Sequence, residues 1–140
     1  MRVRDVMRRQ VAAVDPDATI ADAARTMREL DVGALPVRDQ GILLGVVTDR
    51  DITVRTSAEG YDPEVAHVRD AMTASVLFCL EDEAVEDAAG RMIEAGVRRL
   101  VVLDGAKELV GLLSLDDLAA RVDGGLAGEV IEGVARADRG

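Results

Sequence analysis

Aromatic residues are almost absent from this chain. Phe78 and Tyr61 are the whole set, and there is no tryptophan. Proteins that grip single-stranded nucleic acid stack its bases on aromatic side chains, so that work is disfavoured here. Cys79 is the only cysteine, which excludes an internal disulfide. His67 is the only histidine, and one Cys with one His is too little for a zinc site drawn from one chain. No run approaches the roughly 18 apolar residues of a membrane span, and the N-terminus lacks an apolar signal segment. A cytoplasmic protein without a membrane partner is expected. Positive charge is scarce too, with 17 Lys and Arg against 27 Asp and Glu, a net charge of -10 and a pI near 4.5. Such a balance repels nucleic-acid backbones and anionic lipid, although a local basic cluster can still hold a small anion.

What is present is an aliphatic repeat. Of the 140 residues 49 % are apolar, enough for a core. Val3-Arg4-Asp5-Val6-Met7 returns as Val68-Arg69-Asp70-Ala71-Met72, an offset of 65 positions, and Ile20 to Ala24 returns as Val85 to Ala89. Met27 meets Met92, Val32 meets Val97 and Asp39 meets Asp104 at the same offset. Beyond that point the offset is 66, so Gly45 meets Gly111 and Asp51 meets Asp117. The extra residue falls at a hairpin tip, where insertion is tolerated. A repeat this short is marginal alone, so the copies are expected to share one core.

Within the first copy, residues 3–8 suit a short helical turn and 11–14 a strand, followed by the turn Asp15-Pro16-Asp17. Thr19 with Asp22 three residues on marks a helix start, and Ile20, Ala23, Ala24, Met27 and Leu30 share one helical face. Gly33 is the expected left-handed cap after that helix. Residues 35–38 and 42–47 read as a hairpin around Asp39-Gln40-Gly41, with a helix over 49–56. The second copy predicts a turn at 68–73, a strand at 76–80, a helix at 84–95, a cap at Gly96, strands at 99–103 and 108–113, and a helix at 115–122. The organisation is thus a first repeat over 1–57, a linker over 58–67, a second repeat over 68–122 and a tail over 123–140, partly helical around 126–136. Each copy is β-α-β-β-α, an α/β chain of α+β type with helices over one face of a three-stranded sheet.

This plan, with Gly-φ-φ-Thr/Ser-x-x-Asp (φ apolar) closing the last strand, resembles the CBS-domain family in its tandem-pair form over residues 1–122. Val-Arg-Asp-x-Met, Gly33 to Val37 against Arg98 to Val102, and the two closing motifs agree in both copies and in order. Met27 to Leu30, Asp31 to Val37, Gly45 to Ile52 and Gly60-x-Asp62-Pro63 are also similar to small stand-alone two-CBS proteins of the actinobacterial hypoxic-response type. Metal and cysteine features of some of those proteins have no residues here to carry them. The resemblance implies two repeats packed sheet to sheet about a pseudo-two-fold axis. It also implies a regulatory, signal-transduction module that is no enzyme, pairs as a homodimer, and holds an adenine nucleotide in the cleft between its repeats.

Thr48-x-x-Asp51 and Ser114-x-x-Asp117 have two compatible readings. As helix starts they are caps, each contributing about 1 kcal/mol. As ligand groups, a carboxylate one turn into a helix can accept hydrogen bonds from vicinal ribose hydroxyls beside free backbone N–H groups. In the family the Asp is the ribose contact and the Ser/Thr lies near the phosphates. Arg98-Arg99, set against Gly33-Ala34 in the first copy, resembles the family's phosphate contacts. The stronger expected site therefore joins Arg98, Arg99, Leu112, Ser114, Asp116 and Asp117 with an adenine seat of Met7, Ala12, Val32, Gly33 and Ala34. A weaker mirror site would use Thr48, Arg50, Asp51, Met72, Leu77 and Val97. It lacks the arginine pair, and Arg98 would crowd its base.

No cofactor is required, and AMP, ADP or ATP would be a regulatory ligand. The alternative is a ligand-free structural or protein-interaction module, its motifs serving only as caps and its acidic surface meeting a basic protein partner. Asp49, Asp51, Asp116 and Asp117 form two pairs in separate copies and read as charged helix starts, with no metal implied. No nucleophile, base and orienting group come together in the sequence, so no catalysis is expected.

Overall fold

The computed structural model describes residues 1–121; the expected end of the last helix and the tail over 123–140 lie outside them. In chain order the helices are α1 (Val3–Val6), α2 (Ile20–Leu30), α3 (Asp49–Ile52), α4 (Val85–Ala95) and α5 (Leu115–Arg121). The strands are β1 (Ala34–Asp39), β2 (Ile42–Thr48), β3 (Phe78–Leu80), β4 (Arg99–Leu103) and β5 (Leu109–Ser114). The chain divides into two units, one of Ala12–Val76 and one of Met1–Val11 with Leu77 onward.

In the 12–76 unit, β1 and β2 form an antiparallel hairpin around Gln40 and Gly41. The first strand expected here is reduced to a single parallel bridge, Val14 to Val37, made by Val14 N–H to the Pro36 carbonyl and Arg38 N–H to the Val14 carbonyl, both 2.9 Å. Composition explains the difference. Ala12-Ala13 before Val14 has little strand preference and Asp15-Pro16 ends it, whereas the second copy has Leu77-Phe78-Cys79-Leu80 at the same offset. Helix α2 starts as expected, with the Thr19 hydroxyl accepting from the Asp22 N–H at 3.1 Å. It buries Ile20, Ala23 and Met27. Its left-handed cap is Asp31, at φ 54°, in place of Gly33. Asp31 is the offset partner of Gly96, which does cap α4 at φ 67°, and Asp is among the few residues that tolerate this region. The helix expected over 49–56 is α3 for one turn and then a π turn over Thr53–Ser57. There the Thr53 and buried Thr56 hydroxyls bond back to the Asp49 and Ile52 carbonyls.

In the other unit β3 lies parallel to β4, which is antiparallel to β5. Helix α4 buries Val85, Ala88, Ala89 and Met92 against this sheet.

Each unit has its own core cluster among the described residues. The opening segments of the two sequence copies are exchanged between these clusters. Val3, Val6 and Met7 complete the core of Cys79, Leu100, Val102, Leu113 and Leu118. Val68 and Ala71 complete the core of Ile20, Leu35, Val37 and Val47. Each borrowed segment runs along the last strand of its unit: Arg8 exchanges two 2.9 Å backbone hydrogen bonds with Leu112, and Thr73 does the same with Val46 at 2.8 and 2.9 Å.

Glu83, in the turn before α4, is clamped by both terminal nitrogens of Arg91, one at 2.8 Å, and accepts the Leu80 N–H at 3.2 Å. Arg91 also donates to the Phe78 carbonyl at 3.0 Å, so the pair ties α4 to both ends of β3. The hydrogen bond from Arg91 is the main cause holding the Glu83 carboxyl below the ordinary carboxylate range. A depressed folded-state value means that this contribution is complete above the unfolded carboxyl's titration and fades as pH falls through the folded one. Glu83→Gln is expected to lose about 1 kcal/mol at neutral pH, reduced from a fully buried pair's worth because Arg91 is a third exposed. Urea melts between pH 7 and pH 3 should show a shallower acid decline than in the wild type.

Candidate functional site

The face of the three-stranded sheet that carries Val101 and Leu112 positions the candidate groups. Cross-strand partners share a face, as do residues two apart along a strand. The registers Arg99 to Ser114 and Val101 to Leu112, with the bridge from Arg8 to Leu112, therefore set Arg8, Arg99 and Ser114 on one face. Leu100, Val102 and Leu113 point to the buried side. At the end of this face lies a cleft of about 480 Å³ lined by Val97, Arg98, Arg99, Ser114, Leu115 and Asp116. Its floor is fixed where β5 becomes α5, because the Leu115 N–H bonds the Arg98 carbonyl at 3.1 Å. Arg98 and Arg99 are exposed, and neither side chain has an ion-pair partner among the described residues.

Both motifs are caps. Asp51 N–H donates to the Thr48 hydroxyl and Thr48 N–H to the Asp51 carboxylate, each at 3.0 Å. Asp117 N–H reaches the Ser114 hydroxyl at 3.3 Å, and that hydroxyl donates to Asp117 Oδ2 at 3.0 Å. The other oxygen, Asp117 Oδ1, accepts from Arg8 Nε at 3.1 Å. Sequence reasoning passed over Arg8. Its signal was the substitution of Thr73 at the same offset, an asymmetry of the same kind as Arg98-Arg99 against Gly33-Ala34.

Of the residues assigned to the stronger site, Arg98, Arg99, Ser114 and Asp116 line the cleft. Asp117 is one hydrogen bond behind Ser114, Leu112 is on the same sheet face, and Met7 is in that unit's core. Val97, assigned to the weaker site, is on the wall of this cleft. Leu115 was not anticipated. Ala12, Val32, Gly33 and Ala34 belong to the 12–76 unit, with Thr48, Arg50, Asp51 and Met72 of the weaker set, while Leu77 is in the other unit.

The 12–76 unit repeats the layout with these arginines replaced by uncharged residues. Thr73, Ala34 and Thr48 stand where the other unit has Arg8, Arg99 and Ser114. Moreover, a Cβ built on Gly33 would lie 3.1 Å from a carboxylate oxygen of Asp49, whereas the counterpart of Asp49 is the apolar Leu115. The 12–76 unit presents a carboxylate at the place where the other unit presents two arginines. Asp51 is paired more loosely, 3.8 Å from Arg55 Nε. Among the described residues no cluster of three or more His, Cys, Asp or Glu could hold a metal ion. No described helix is long and apolar enough to cross a membrane.

Two repeats of this build, each closing a hairpin with a capped Thr/Ser-x-x-Asp helix, define a regulatory domain pair. The chain belongs to the CBS-domain family, whose model matches residues 3–55 and 68–124. It is 42 % identical over 117 residues to the CBS domain-containing protein YhcV of Bacillus subtilis, covering 84 % of this chain and 82 % of that one. It is 35 % identical to hypoxic response protein 1 of Mycobacterium tuberculosis, covering 83 % and 81 %. The crystal structure of Hypoxic Response Protein I with two coordinated zinc ions superposes with a TM-score of 0.75 at 32 % identity, over 88 % of this chain and 100 % of that one. The structure of CBSX2 in complex with AMP gives 0.72 at 31 % identity, over 85 % and 93 %.

Proposed function

We propose that this protein is a signalling module that binds an adenine nucleotide at the cleft of Arg98, Arg99, Ser114 and Asp116, with Asp117 as the ribose acceptor. The observation that carries the reading is the pair of exposed arginines beside a capped helix start, on the unit whose counterpart presents a carboxylate instead. Arginine forks suit phosphate, and Arg98 and Arg99 stand side by side at the mouth of the cleft. The AMP complex of CBSX2, at 31 % identity, supports the ligand class. The nucleotide acts by its different affinity for two states of the module, working as a cytoplasmic homodimer on a protein partner. The exposed Leu30 and Val54 on the helical side of the 12–76 unit support self-pairing. Ser114 and Thr48 serve as caps, and we propose no catalysis.

Thermal shift with AMP, ADP and ATP tests the reading. At 100 times Kd a native-state ligand adds about 2.7 kcal/mol, several degrees for a chain of this size. Asp117→Ala is expected to abolish the shift while costing about 1 kcal/mol of capping. A wild-type midpoint that moves with none of the three would favour the ligand-free interaction module.

A further inference from the structure

The Arg8 to Asp117 contact bears on which ligands the cleft accepts. Both oxygens of the Asp117 carboxylate are engaged, Oδ2 by the Ser114 hydroxyl and Oδ1 by Arg8 Nε. The two partners differ in freedom. Asp117 is 14 % exposed and fixed in the first turn of α5, while the Arg8 side chain is 69 % exposed. The Arg8 backbone is pinned to Leu112 by two hydrogen bonds, so its long side chain swings from a fixed root on the same face as Arg99 and Ser114.

We propose that Arg8 is a specificity-determining residue: it is paired with the ribose acceptor Asp117, so the cleft favours nucleosides whose phosphate can take the displaced guanidinium. The inference rests on the nucleotide reading given above. A ribose that claims Oδ1 must break the ion pair. Adenosine offers Arg8 nothing in return. A nucleoside phosphate offers oxygens to which a guanidinium binds in a two-pronged way, next to Arg98 and Arg99. Thr73 holds the equivalent place in the 12–76 unit, so this selectivity belongs to one cleft.

Calorimetric titration of adenosine and of AMP into the wild type, Arg8→Gln, Arg9→Gln and Asp117→Ala tests it. In the wild type AMP should bind more tightly than adenosine. Arg8→Gln should strengthen adenosine binding about fivefold, the worth of an exposed ion pair, and leave AMP equal or weaker. The ratio of the two constants then contracts. Arg9→Gln removes the same charge next door and should leave that ratio alone. A ratio unchanged by Arg8→Gln, or contracted as far by Arg9→Gln, overturns the proposal. If AMP binds, Asp117→Ala abolishes binding and Arg8→Gln leaves the ratio fixed, only the role of Arg8 fails. If the wild type binds neither ligand, the nucleotide reading fails and this inference with it.

Discussion

Gly45→Val is expected to lower the stability of the protein by about 3 kcal/mol, the upper range for forcing extra carbons into a packed site. A Cβ on Gly45 would lie 2.4 Å from the Thr73 carbonyl oxygen and 3.1 Å from its carbon. Those are backbone atoms, held by the paired hydrogen bonds between Thr73 and Val46, and they can retreat only if the borrowed segment lifts off β2. Val68 and Ala71, both fully buried, would lift with it. Gly111 makes the same close approach to Arg8, yet the nearest atom to its built Cβ is the Met7 sulfur at 2.5 Å, with the Arg8 carbonyl at 2.9 Å. A flexible methionine can yield but the Arg8 carbonyl, held by the Leu112 N–H, cannot, so Gly111→Val should cost somewhat less than Gly45→Val, about 2 kcal/mol. Urea denaturation of both variants checks the order. Gly45→Val within 1 kcal/mol of the wild type would contradict the close approach.

Cys79 should resist thiol reagents in the folded protein about a thousandfold more than an ordinary cysteine. Burial in the sheet, and secondarily the Glu83 charge, push its thiol up from 9.0 to about 12. Thiolate is the reactive form, so the raised thiol is less reactive while folded, and an opening free energy of about 4 kcal/mol sets the thousandfold protection. The side chain is also fully buried among Val102, Leu113 and Met92, so reagent reaches it only through opening. Labelling at pH 8 should be slow in buffer and should accelerate in step with the unfolded fraction as urea is added. Rapid labelling without denaturant would show that β3 opens by itself. Because Cys79 and Gly45 lie in different units, labelling of Gly45→Val also reads whether loosening one unit loosens the other.

The repeat made much of this fold legible. Two copies of each pattern gave two chances to place α2 and α4, the hairpins and the capped motifs, all of which depend on residues a few positions apart. Three features escaped for physical reasons. The valines of 11–14 favour a strand, but the alanines between them and the following Asp15-Pro16 reduce it to one bridge. Gly33 suits a left-handed cap because glycine is the usual residue there, yet Asp31 does that work in the aligned position. The exchange of opening segments is invisible to local periodicity, which shows that Val3, Val6 and Met7 have an apolar face and not which sheet receives it. The site divides along the same line. Ser114 with Asp117, and the arginine pair, could be read from neighbours in sequence. The ion pair of Arg8 with Asp117 joins positions 109 apart, and no pattern along the chain announces it.

The segment exchange also sets a timetable for synthesis. Residues 12–76 are contiguous, so that unit can close while translation of the remainder continues. The other unit cannot. Residues 1–11 must stay undocked until the strand carrying Leu112 has been made, since their hydrogen-bond partners extend from Glu81 to Leu112. Closing so long a loop is slow, and it leaves Val3 and Val6 open to chaperones throughout. A rearranged gene that starts at Ala12 and appends 1–11 after the tail would remove the wait, and its product should refold faster than the natural order does.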